Sequence, residues 1–273
     1  MPVRVSSWAL LFALAACGDD LPRNDTAPTG AITLVSYNLA QIEGGPRAAT
    51  VGAEISSIRP DFVAVEECVE CDAWLPDEVP RVAVTEPRAG VAIAYDASRW
   101  VIRENEVLSL GDNDDGWGER VAQWGLFSKV DGDESIYFYA THWCVTIRSP
   151  ADPCTIDRHL DYAAAITDDI EGRSAAGLPV LLAGDFNVFD GFEAGEAISF
   201  LRDWGLTDLF RASNPEGDGT TFVGNDWAPS GRLDYLFSTA PVEVVEARVD
   251  EVEGASDHYP VIATVQYRGS PAD

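Results

Sequence analysis

The chain has 273 residues, enough for one large domain or two small ones and for a full hydrophobic core. Forty-six acidic side chains against eighteen basic ones give a formal net charge of −28, and Lys129 is the only lysine. So acidic a chain is not held on nucleic acid by a broad basic surface, although a hydrolase touching a polyanion briefly, through a metal ion and a few arginines, stays open.

The first residues read as an address. Arg4 precedes an apolar run from Trp8 to Ala16, too short for a permanent membrane span, and Leu14-Ala15-Ala16 leads into Cys17. Residues 1–16 resemble a bacterial lipoprotein signal, with Cys17 as the lipidated first residue; an ordinary secretory signal is the alternative. Residues 17–30, rich in Asp, Asn, Pro and Thr, make a flexible tether. Export places the other cysteines in an oxidising compartment, where Cys68 with Cys71 and Cys144 with Cys154 is the simplest pairing. A zinc site is the weaker rival, since a single CxxC has no second close pair.

The folded domain is expected over 31–268, with 269–273 as a tail. Ile32 to Asn38 alternates as a core strand ending on an asparagine, and Pro46 suits the first turn of a helix to about Ile58. Phe62 to Glu67 is a second buried strand, closing on carboxylates. Strand-like runs at Gly90–Tyr95, Trp100–Leu108, Val121–Val130 and Ser135–His142 follow with little helix between them, as in antiparallel sheet. Asp112 to Gly116 carries part of a calcium-loop spacing without its glutamate and reads as a solvated turn. An amphipathic helix is expected from Ile156 to Gly172, with His159 structural, and another around Glu193–Trp204. Between them, Val180 to Asn187 is an apolar strand ending in Gly184, Asp185, Phe186 and Asn187. On an extended backbone Asp185 and Asn187 face one pocket while Phe186 turns inward. A Gly- and Asn-rich loop, Ser213–Gly231, precedes the strand-turn unit Arg232–Phe237, a strand near Val242–Val249 and a last strand after Ser256-Asp257-His258-Tyr259-Pro260.

These segments share one property: a polar residue at the end of a strand. Taken in order, Asn38, Glu67 after Pro60-Asp61-Phe62-Val63-Ala64-Val65-Glu66, Thr141-His142, Gly184-Asp185-Phe186-Asn187, Arg232-Leu233-Asp234-Tyr235 and Ser256-Asp257-His258 resemble the endonuclease/exonuclease/phosphatase superfamily, from about Ile32 to Tyr267. The resemblance implies an α/β fold, a four-layer α/β/β/α sandwich of two packed mixed sheets with helices on the outer faces. It also implies a divalent-metal-dependent phosphoester hydrolase, for which an endonuclease-like phosphodiesterase at the bacterial envelope is the first expectation. A sphingomyelinase-like or phosphatase-type hydrolase of phospholipid headgroups or small phosphoesters is the second, and a non-catalytic, lipid-anchored binding module the third.

The chemistry stands beside the resemblance. Hydrolysing a phosphoester requires charge neutralised on the phosphoryl oxygens, water in line and help for the leaving oxygen. Mg²⁺, with Mn²⁺ or Ca²⁺ as substitutes, suits oxygen ligands, and Glu67, Asn38 and Asp257 are its expected ligands. Asp185 orients or deprotonates the water, and Asn187 holds the water or a phosphoryl oxygen. His258 stabilises the transition state, oriented by a carboxylate for which Asp234 resembles the family's residue, and His142 assists at the phosphate or the leaving oxygen. Arg120, Arg148 and Arg232 are candidates for bidentate phosphate contacts and Trp227 for stacking on a base or lipid. In pancreatic-type deoxyribonucleases a glutamate orients the histidine of the Thr-His motif, and Pro87–Ala92 offers no such carboxylate here. The expected protein is a monomer, tethered to a membrane, that meets nucleic acid transiently or a phospholipid headgroup.

Overall fold

The computed structural model describes residues 30–41, 45–68, 81–82, 90–112, 118–146, 154–174, 177–191, 195–226, 228–239 and 241–267. Cys17 with the signal and most of the tether, Cys71, Arg148, Trp227 and the tail lie outside the described residues.

The apolar runs form two six-stranded sheets. In the first, β11 (Val242–Val249), β12 (Val261–Tyr267), β1 (Ala31–Asn38), β2 (Phe62–Glu66), β4 (Val91–Tyr95) and β3 (Arg81–Val82) lie side by side in that order. The second runs β5 (Trp100–Asp112), β6 (Glu119–Lys129), β7 (Ser135–His142), β8 (Val180–Asp185), β10 (Asp234–Ser238) and β9 (Thr207–Asp208). Each is mixed: β1 with β2 and β7 with β8 are parallel, and the other pairs antiparallel. Strands β2, β4 and β8 are buried at every residue, which is why their sequences read as continuous apolar runs.

One core lies between the sheets. Phe62 of β2 packs on Trp100, Phe127 and Phe138 of the other sheet with ring centroids 5.0, 5.0 and 5.1 Å away. Two further cores lie on the outer faces. Helix α1 (Gly45–Ile58) turns Ala48, Val51 and Ile55, spaced three and four apart, onto the first sheet. Helices α2 (Ile156–Ser174) and α3 (Glu196–Trp204) cover the second sheet with Tyr162, Ala163, Ile166, Ile170, Ala197, Ile198 and Leu201. The layers are therefore α/β/β/α, as expected. The short helix α4 (Leu209–Ser213) carries Leu209 and Phe210 into the central core.

Several details differ from the sequence reading. Asp112 belongs to β5, paired with Glu119, so the β5–β6 hairpin is longer than its alternation suggests. The elements β3, β9 and α4 are too short to show a period. The Cys144–Cys154 disulfide is present as expected; Cys68 is also disulfide-bonded.

Candidate active site

Register assembles half of the site. Across the parallel pair β7–β8, His142 stands opposite Asp185, and across the antiparallel pair β8–β10, Asp185 stands opposite Asp234. Three titratable side chains thus lie in a row at one edge of the second sheet. The row depends on Gly184, opposite Thr141: a Cβ there would sit 2.1 Å from the Thr141 carbonyl oxygen, so no other residue lets β7 and β8 approach this closely.

The first sheet supplies the other half. Asn38 ends β1 and Glu67 follows β2, both at the same edge. Glu67 takes a left-handed backbone, φ 51°, which turns it out of the alternation of β2 so that its carboxylate reaches the site while Glu66 stays inside. The loop Ser256–His258 is tied down by Ser256, whose hydroxyl donates to the Asn38 carbonyl (2.7 Å) and accepts from the His258 N–H (3.1 Å).

The halves meet at Asp185. The Asn38 side-chain amide donates to Asp185 Oδ2 (2.9 Å) and to Glu67 Oε1 (3.2 Å), so two carboxylates converge on one nitrogen. His142 Nε2 lies 3.6 Å from Asp185 Oδ2 and 3.9 Å from Glu67 Oε1, and His258 Nε2 lies 3.9 Å from Asp185 Oδ2. On its other side, His258 Nδ1 is 2.8 Å from Asp234 Oδ2. Asn187, also left-handed at φ 51°, donates its main-chain N–H to Asp185 Oδ1 (2.9 Å) and its amide to the Trp143 carbonyl (2.9 Å). Asp185 is accordingly held by two asparagines, with Phe186 turned fully inward between Asp185 and Asn187.

Charge follows from burial. Burial raises the Asp185 carboxyl and the Asp234 charge raises it further, to about 7, with His258 pulling the other way. Burial alone would make His258 less basic; Asp234 and Asp185 overcome it and push the imidazole up to about 10. Glu67 is raised by burial, against the Asn38 hydrogen bond. Glu66, fully buried beneath the site, is raised well above the carboxylate range by burial and by the charges of Asp234 and Asp185. The Ser36 hydroxyl donates to its Oε1 at 3.3 Å. Sequence reasoning passed over Glu66, although one of two adjacent strand acids must point inward.

Of the other expected residues, Arg120 is buried at the site, with Nη1 3.5 Å from His142 Nδ1. Guanidinium has donors only, so Nδ1 is the acceptor and Nε2 carries the proton that faces Asp185 and Glu67. Arg120 thus stands beside Nδ1 of His142, where the resemblance would put a carboxylate. Asp257 is exposed at the rim, where its charge raises both Glu67 and His258. Arg232 departs from its expected role. Only 3% exposed, it pairs with Asp208 (2.6 and 3.0 Å) and Asp190 (3.1 Å) and stacks on Tyr235, in a cluster that also holds Arg202 and Arg211.

The residues fit a divalent cation. Ligand atoms of Asp185, Asp234 and His258 lie within 4.8 Å of one another, and Glu67 and Asn38 adjoin them. Crowded, buried carboxylates that resist ionising are the setting in which a hard cation binds oxygen ligands. Among the described residues one other group has such spacing, Cys144, Cys154 and His159, but its sulfurs are joined to each other.

Comparison with known proteins agrees with this geometry. The structure is similar to the endonuclease/exonuclease/phosphatase of Bacteroides vulgatus (20% identity, TM-score 0.71, covering 88% of this chain and 100% of that one). It is similar to the mannosyl-6-phosphatase of Bacteroides thetaiotaomicron (20% identity, TM-score 0.68, 86% and 100% covered). D. rerio TDP2, crystallised with a single-strand DNA product, aligns at 15% identity and TM-score 0.70, with 86% and 99% covered. No curated protein matches the chain. At these identities the structural likenesses establish the fold alone. The sequence pattern of the Endonuclease/Exonuclease/phosphatase family matches residues 35–258, most of the chain and every strand end that supplies the site, and the chain belongs to that family.

Proposed function

We propose that the protein is a divalent-metal-dependent phosphoester hydrolase whose substrate is compact, a phospholipid headgroup ester or a small phosphoester. The observation that carries the hydrolase reading is the convergence of Asn38, Glu67, His142, Asp185, Asn187, Asp234 and His258 where the edges of the two sheets meet. Glu67 and Asn38, with Asp185 and Asp257 nearby, would hold the cation, and Mg²⁺ suits these oxygen donors, with Mn²⁺ or Ca²⁺ as substitutes. When bound, the ion supplies charge neutralisation at the phosphoryl oxygens.

The chain's own groups do the rest. Asp185, with its raised pKa, takes a proton from the attacking water, which the Asn187 amide orients. His258, kept cationic by Asp234, faces the charge that grows on the phosphoryl oxygens. His142 presents Nε2–H toward the leaving oxygen, backed by Arg120.

Charge favours a compact substrate over the endonuclease-like expectation. Binding a nucleic acid takes several cationic phosphate contacts. Among the described arginines, Arg202, Arg211 and Arg232 are bound to Asp190 and Asp208, Arg99 to Asp61, Arg173 to Asp169, and Arg248 to Asp250. With a net charge of −28 the remainder of the surface repels a polyanion. The lipoprotein-like start of the chain supports anchoring at the bacterial envelope, facing periplasm or exterior, within reach of headgroups.

A panel of phosphoesters tests this reading: a phosphocholine lipid, sugar phosphates and supercoiled DNA, each with Mg²⁺, with chelator and with Asp185→Ala. Release of phosphocholine or phosphate that both chelator and the substitution abolish is the expected result. Nicking of DNA as the dominant activity would restore the endonuclease. Binding without turnover on every substrate would make the protein a binding module.

A further inference from the structure

Behind Asn187 lies a buried assembly that the hydrolytic groups do not include. The Asn187 amide donates to the main-chain carbonyl of Trp143 (2.9 Å), the residue directly after His142, and the Trp143 N–H donates to the Asp185 carbonyl (2.9 Å). Trp143 is fully buried and enclosed by Phe186, His159 and Tyr162, with ring centroids 4.7, 5.6 and 5.7 Å away. The next residue, Cys144, is bonded to Cys154, and both are buried. His159 on α2 donates from Nε2 to the Cys144 carbonyl (2.9 Å) with the same atom 3.2 Å from Cys154 Sγ, while the Tyr162 hydroxyl lies 3.6 Å from Cys144 Sγ. One short stretch of main chain, Trp143–Cys144, is thus held by a helix on one side and holds a site amide on the other.

We propose that His159 and the Cys144–Cys154 disulfide position the Asn187 side chain for reaction, acting through the Trp143–Cys144 main chain. The inference rests on the hydrolase reading of the site. Asn187 needs such a brace: its left-handed backbone lies beyond the end of β8, where no strand partner fixes it, and its side-chain amide is oriented by the Trp143 carbonyl on one side and Asp185 on the other. Displacing a positioning group by about 1 Å costs up to about a hundredfold in turnover, so a loosened carbonyl is felt in kcat and not in substrate binding.

The test is a cycle of His159→Leu and Asn187→Ala, with His159→Gln as the conservative variant, because a glutamine amide can also donate to the Cys144 carbonyl. His159→Leu should lower kcat about tenfold with KM unchanged, His159→Gln should recover most of it, and His159→Leu should cost nothing further in the Asn187→Ala background. An equal loss in both backgrounds, or a loss confined to KM, would overturn the proposal. Should His159→Leu fail to fold, the Cys144→Ala/Cys154→Ala pair replaces it in the same cycle. In wild-type protein the side-chain ¹⁵N amide resonance of Asn187, assigned by its loss in Asn187→Ala, should exchange slowly with solvent; exchange as fast as that of an exposed asparagine also overturns the brace. A wild type that turns over no phosphoester yet shows the protected amide would sink the hydrolase reading and leave the brace standing.

Discussion

His258 Nδ1 lies 2.8 Å from Asp234 Oδ2, inside the protein, and that contact joins a loop of the first sheet to a strand of the second. It holds the imidazole protonated up to about pH 10. A base whose folded pKa is raised adds stability in full below its unfolded value, about 6.5, and loses it as pH rises through the folded value. Asp234→Asn in metal-free protein should therefore cost about 3–5 kcal/mol near pH 7, as expected for breaking a buried pair. The gap between wild type and variant should close by pH 11, as read from denaturant midpoints. A gap independent of pH would show that His258 is not charged.

Asp185 and Glu67 resist ionisation in the metal-free protein, so a cation competes with protons there. Mg²⁺ at about a hundred times its dissociation constant should stabilise the fold by about 2.7 kcal/mol. The gain should grow as pH rises past 7, because Asp185 must be ionised to attract the ion. Glu67→Ala should remove the gain and reduce turnover by at least about a hundredfold, since it takes away a ligand whose charge stabilisation is made at the transition state. Calorimetry with and without chelator at pH 6 and pH 8 measures it.

Glu66 makes the opposite case. A raised carboxyl adds stability while protonated and loses it as pH climbs toward the folded pKa, so at alkaline pH Glu66 weighs against the fold. Glu66→Gln keeps the acceptor for Ser36 and cannot ionise. It should leave stability at pH 5 unchanged and raise it at pH 9, with turnover retained. A loss of turnover equal to that of Asp185→Ala would mean that Glu66 works as a carboxylate.

Arg232 separates architecture from substrate binding. Arg232→Met should cost up to about 3 kcal/mol by taking the buried cation out of a cluster in which Arg202 and Arg211 still hold Asp208 and Asp190, and leave KM unchanged. A raised KM at unchanged stability would return this arginine to the substrate.

These cases also show what the residues reveal on their own. The strand ends were legible because each apolar run stops or, at Asp234, starts on a polar residue, and five such ends and one loop in family order leave little choice of site. Arg232 misled because a flanking arginine looks alike beside a phosphate and inside an ion pair; its carboxylate partners stand 42 and 24 residues away. Arg120 was picked out as a phosphate contact, but its place behind His142 depends on how β6 and β7 are paired, which alternation does not state. The brace on Asn187 was invisible for the same reason: it runs through a main-chain carbonyl, which carries no side-chain signature.

The site sits on a seam, with Asn38 in a strand of one sheet, Glu67 and His258 in loops flanking its strands, and His142, Asp185 and Asp234 in strands of its partner. Whatever is bound there fastens the two slabs together, so ligand affinity and the cohesion of the sandwich are one quantity seen from two sides. Loosening Phe62 or Phe138, well away from the chemistry, should be felt first as a weaker grip on the ion.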